Sequence, residues 1–102
     1  MTNDNILKIW IDNDGRLCLR PAKEKFTMIY RSAAEVHWDN ISDFLFSPRP
    51  REWTYLDWYK HIISTVVDEY GCRLHITVET DWLSFPDELK AGILEFERNY
   101  VV

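Results

Sequence analysis

At 102 residues the chain has the size of one ordinary domain, and two domains would each be too short to bury a core of their own. Apolar residues make up 46% of it and charged residues 28%, a globular balance that excludes a disordered chain. The formal net charge of -5 argues against a general nucleic-acid or anionic-membrane binder, which needs a surplus of Lys and Arg to displace counterions.

Met1 to Asn5 is polar and acidic, without the basic start and apolar stretch of a secretory signal, and no apolar run is long enough to cross a bilayer. The expected location is the cytoplasm, with no membrane partner. Ile6 to Asp12 and Arg16 to Arg20 flank Asn13, Asp14 and Gly15, a strand, turn and strand pattern. Register decides the loop length, because a slip of one residue moves every side chain to the other face. A two-residue loop would set Trp10 opposite Leu19 and mix the faces. A three-residue loop closed by Gly15 in a bulge pairs Ile11 with Leu17 and Ile9 with Leu19. The other face then carries Lys8, Trp10, Asp12, Arg16, Cys18 and Arg20, with Asp12 opposite Arg16 as a favourable cross-strand pair.

Pro21 stops the second strand. Phe26, Ile29, Tyr30, Ala33 and Ala34 recur at helical spacing and predict a short helix, although Phe26 to Tyr30 is also strand-like by propensity. Two short strands, Glu35 to Asp39 and Phe44 to Phe46, are expected around the turn Asn40 to Asp43, with Val36 and Trp38 on the buried side. Ser47 to Arg51, with two prolines, forms an extended connector. Thr54 with Asp57 three residues on is a variant of the capping box, and Tyr59, Ile62, Ile63, Val66, Val67 and Tyr70 follow at helical spacing up to Gly71. Cys72 to Glu79 alternates, which places Cys72, Leu74, Ile76 and Val78 inward and Arg73, His75, Thr77 and Glu79 outward. After a loop holding Trp82, Pro86 opens a second helix with Asp87 and Glu88 near its positive end. Leu89, Ile93 and Phe96 face the core, and Tyr100 continues the stripe if the helix extends that far. The fold class this predicts is α+β: a single domain over residues 1-102, an antiparallel sheet of about five strands in the order β-β-(short α)-β-β-α-β-α, with the main helix packed on one face.

No motif names a reaction. Cys18 and Cys72 are too few for a disulfide framework and read as reduced strand residues. His37, His61 and His75 fall on opposite sides of the expected fold, His61 pointing into solvent beside Asp57 and Asp68, so no metal site is assigned. Nucleophile elbows and phosphate-cradling loops are absent, and Asp12 to Gly15 has the wrong spacing for a calcium loop. No catalytic residue and no cofactor are assigned.

The open sheet face is the first candidate binding surface: Lys8, Trp10, Arg16, Arg20, Arg73 and His75, cations around an aromatic on an acidic protein. Trp and Arg are the residue types enriched at binding hot spots. A half-exposed sheet also carries alternating charges for solubility alone, and that plain reading is weighed somewhat above ligand binding. Single-stranded nucleic acid could stack on Trp10, but one aromatic makes a poor platform, so that reading is disfavoured. A second candidate patch is Trp53, Trp58 and His61 beside Arg49 and Arg51. Trp53 reads as a hydrophobic staple at the helix start and Trp58 as a partly buried boundary residue.

The run from Pro50 to Tyr59, with Asp68 to Gly71 and Thr80 to Trp82 after it, resembles small orphan proteins carried as bacterial integron gene cassettes. The resemblance covers the main helix and the last strand, and it implies a bacterial, often dimeric protein with no assigned function. The function expected is that of a non-enzymatic binding protein, self-associating into a homodimer or meeting another protein partner, of which an inhibitor or immunity-type protein is one form. The alternative is a small-molecule binder or modest enzyme with an aromatic-lined pocket.

Overall fold

Asp12 organises the first turn: its Oδ1 accepts the N–H groups of Asp14 and Arg16 at 3.0 and 2.9 Å, and Gly15 takes the left-handed conformation (φ 79°) that closes the loop. The computed structural model describes residues 1–100. In it, β1 (Thr2–Ile11) and β2 (Leu17–Pro21) pair with Ile9 opposite Leu19 and Ile11 opposite Leu17, the register expected from the sequence. The pairing shifts between Ile6 and Lys8, a bulge that turns Leu7 outward. Ile6 and Ile9, three apart, thereby both reach the core.

β3 (His37–Asp39) and β4 (Phe44–Phe46) form a second hairpin that joins β2. Asp39 caps its turn by accepting the N–H groups of Ile41 and Ser42. After α1 (Tyr55–Tyr70), β5 (Cys72–His75) lies beside β1, and α2 (Asp87–Asn99) follows. The sheet order is β3-β4-β2-β1-β5. Three of the joins are antiparallel, and β1 with β5 is parallel. The class is α+β, with a mixed, mostly antiparallel sheet.

α1 begins as its sequence indicates. Thr54 accepts the Asp57 N–H, Asp57 accepts the Thr54 N–H, and Trp53 packs on Trp58 with ring centroids 4.7 Å apart, a capping box with its hydrophobic staple. Tyr59, Ile62, Ile63 and Val66 are buried against Ile6, Ile9, Leu17, Leu19, Leu45 and Leu74 of the sheet. Gly71 ends the helix in the left-handed conformation. α2 contributes Ile93 to the same core, with Leu89, Phe96 and, beyond the helix, Tyr100 packed at its margin. Among the described residues no helix is long and apolar enough to cross a membrane.

Two elements differ from expectation. The predicted helix over Phe26 to Ala34 is a single 3-10 turn, Ile29–Arg31, without a side-chain cap. So short a segment gains too few hydrogen bonds to nucleate a helix. Phe26, Ile29 and Ala33 reach the core while Tyr30 and Ala34 stay exposed. The strand predicted to run to Glu79 ends at His75, because the Thr80 hydroxyl accepts the Thr77 N–H and the Thr77 hydroxyl accepts the Glu79 N–H, side-chain bonds that build a turn. Val78, expected inside, sits at its exposed tip. The chain then returns to β1, where Asp81 receives the Ile9 N–H and donates to Leu7 O, both at 2.9 Å.

Candidate functional site

Alternation along four strands builds the sheet face turned away from α1. With Ile9, Leu19, Leu45 and Trp38 inward, the row beside them reads His37, Phe46, Cys18 and Trp10 across β3, β4, β2 and β1. Continuing the same register, the next row reads Asp39, Phe44, Arg20 and Lys8. Trp10 packs edge-on to Phe44 with centroids 5.0 Å apart, and Phe46 lies 6.0 Å from Phe44 and 5.6 Å from His37. Cations cover the rings. Lys8 and Arg20 lie 5.0 and 5.4 Å from the Trp10 centroid, and the Arg16 guanidinium lies 4.5 Å from that of Phe46. Arg16 is also held by Asp12 at 2.7 Å, whereas Lys8, Arg20 and Asp39 have no ion-pair partner among the described residues.

Lys8, Trp10, Arg16 and Arg20 thus come together as the sequence indicates. Arg73 does not join them. It is 5% exposed, donates to the Leu74 carbonyl and pairs with Glu97 of α2 at 2.8 Å, so it is a buried clamp and not a surface cation. The reason is a long-range one: α2 brings a carboxylate to the edge strand, which alternation along β5 cannot reveal. His75 bonds Asn3 at 2.8 Å, on the far side of the Leu7 bulge from Trp10. His37, expected outward on the uncovered side of the sheet, lies on this face, and so do Phe44 and Phe46, for which the sequence reading names no face. Their signal is the alternation of Phe44 and Phe46 around an inward Leu45.

Cys18 lies on this face yet is fully buried. Burial, with Asp12 beside it, pushes its thiol up to about 12, which makes it an unreactive packing residue. Burial also pushes Asp12 up, but the N–H and guanidinium of Arg16 and the N–H of Asp14 outweigh it, and its pKa lies below the ordinary 3.8. A carboxyl lowered by folding contributes stability that is complete above its unfolded value and is lost as the pH falls through the lower folded value. The thermal midpoint is therefore expected to drop on acidification below about pH 4, and to drop less in Asp12→Asn, as a melting series between about pH 7 and pH 2 would measure. Parallel curves for the two proteins would remove Asp12 from the account.

The second candidate patch is a recess of about 610 Å³ at the start of α1, with Glu35, Arg51, Glu52, Trp53, Trp58 and His61 among its walls. Trp53, Trp58 and His61 pack against one another in tilted and edge-on contacts with centroids 4.7 to 6.0 Å apart. Trp58 is 7% exposed, more deeply buried than expected, and its Nε1–H has no acceptor. His61 is half-buried against the two indoles and does not point into solvent, and this burial lowers its pKa below the ordinary 6.5. Arg51 bridges to Glu35 at 2.6 Å, while Arg49 turns away to bond the Asp14 carbonyl. Among the described residues no three His, Cys, Asp or Glu side chains gather as a metal site would need.

Five strands, mostly antiparallel, with α1 packed on one face and aromatic rings under cations on the other, define a small α+β protein. It belongs to the family described as Integron Cassette Protein Hfx_Cass5, whose model matches residues 4–80. A solved structure titled "Structure from the mobile metagenome of North West Arm Sewage Outfall: Integron Cassette Protein Hfx_Cass5" is 35% identical, over 96% of this chain and 98% of that one, with a TM-score of 0.48. No curated protein matches the chain.

Proposed function

We propose that the chain is a non-enzymatic binding protein that self-associates through the sheet face carrying Trp10, its partner being a second copy of the chain. The observation that supports this is the order of charges in the row Asp39, Phe44, Arg20 and Lys8. A two-fold axis parallel to the strands, running between β4 and β2, would set β3 of each copy over β1 of the other. Asp39 then meets Lys8 twice, and Phe44 meets Arg20. The neighbouring row sets His37 over Trp10 and Phe46 over Cys18. Such a patch complements itself, as an isologous contact requires, and it engages the three charges left unpaired in one copy.

Size sets the strength. Four strands at about 4.8 Å spacing span roughly 19 Å, and β3 and β4, three residues each, run about 10 Å, so the flat contact is on the order of 200 Å², short of the ~800 Å² per partner of a standard interface, and the dimer should be weak, with a dissociation constant in the high micromolar range. Sedimentation velocity from about 1 to 500 µM is expected to show the mass rising from monomer to dimer. Lys8→Glu places like charges together and should weaken association by about tenfold or more, while adding Asp39→Asn, which keeps the turn acceptor, should recover part of the loss. A monomer at every concentration, or a dimer indifferent to Lys8→Glu, would overturn the reading.

A further inference from the structure

We infer that the recess at the start of α1 binds a small organic cation, an alkylammonium head resting on the Trp53 ring with Glu52 as its counter-ion. The three rings touch one another, so a ligand does not enter between them. It lies on Trp53, which is 44% exposed and presents an electron-rich face. Charge selects the sign. Arg51 is already held by Glu35, and an anionic ligand would have to displace that carboxylate. Glu52 has no ion-pair partner among the described residues, and His61, with its pKa lowered by burial, adds no competing positive charge at neutral pH. The lining is left with one uncompensated negative charge.

Two further marks set this recess apart from an ordinary surface dent. Trp58, one of its walls, carries a buried Nε1–H without an acceptor among the described residues, a group that seldom goes unpaired. Glu35 holds a left-handed backbone (φ 66°) that a non-glycine residue rarely adopts and that recurs at ligand sites. A volume of about 610 Å³ is in the range of small-molecule sites. None of these residues belongs to the Trp10 face, so the inference stands apart from the proposed dimer.

Choline titrated into the full chain is expected to shift the indole N–H resonances of Trp53 and Trp58 with saturation in the millimolar range. Its neutral isostere, 3,3-dimethyl-1-butanol, should bind about tenfold more weakly. Glu52→Gln, at an exposed position, should weaken choline binding several-fold. Trp53→Leu keeps an apolar staple on Trp58 and should abolish binding while leaving the helical circular dichroism intact. Equal binding of the neutral isostere, tighter binding of benzoate, or shifts confined to the other three indoles would overturn the inference.

Discussion

Arg73→Ala is expected to lower the stability of the folded chain by about 3 to 5 kcal/mol, the cost typical of stranding one charge of a buried pair. The side chains of Arg73 and Glu97 are only 6% and 12% exposed. Glu97 accepts from Arg73 Nη2 at 2.8 Å and from the Tyr59 hydroxyl at 2.5 Å, while Arg73 Nη1 serves the Leu74 carbonyl and the guanidinium lies 4.5 Å from the Tyr100 centroid. Removing the cation leaves a buried carboxylate and a buried carbonyl short of donors. Tyr59→Phe should cost less, about 1 kcal/mol, because Glu97 keeps its arginine. Burial and Glu97 hold the Tyr59 hydroxyl proton well above its ordinary pKa of 10, so it donates throughout the neutral range. α2 has Ile93 as its one buried residue and depends on this clamp, so amide exchange over Asp87–Asn99 should rise first in Arg73→Ala. Chemical denaturation measures the difference, and a loss under about 1 kcal/mol would mean that water solvates the pair.

The same arginine marks where sequence reasoning stops. Period-two alternation is a local property, so it located Ile9, Ile11, Leu17 and Leu19 inside, and Lys8, Trp10, Arg16 and Arg20 together outside, once the Gly15 turn was assigned. The Thr54 cap and Trp53 staple were legible for the same reason, since all their partners lie within five residues. What joins β4 to β2, or Glu97 to Arg73, depends on pairings distant in the chain. Hence alternation alone does not tie Phe44 and Phe46 to the face they share with Trp10, and it makes Arg73 an exposed residue where the fold buries it. Cys18 adds a further lesson: it faces away from the core as alternation requires, yet neighbouring side chains on its own face bury it completely. Direction and burial are separate quantities.

Thr80→Val, a change of shape by almost nothing, should cost about 2 to 3 kcal/mol, and the reason lies in the bulge of β1. Ile6 sits opposite Pro21, which has no N–H to offer, and the register breaks immediately after it. The Thr80 hydroxyl supplies the missing donor, giving its proton to the Ile6 carbonyl at 2.7 Å while accepting the Thr77 N–H at 2.9 Å. Thr80 is 7% exposed, so water cannot readily replace either bond. Valine fills the same space and leaves a buried carbonyl and an N–H unmatched. Thr80→Ser keeps the oxygen and should lose less than about 1 kcal/mol. The Asp81 bridge to Leu7 and Ile9 follows directly in the chain, so the Ile9 amide, bonded to Asp81 O, is expected to exchange faster in the valine variant and at the native rate in the serine one. Equal stability of the two variants would mean that the Asp81 ladder holds this edge and that the Thr80 hydroxyl does not.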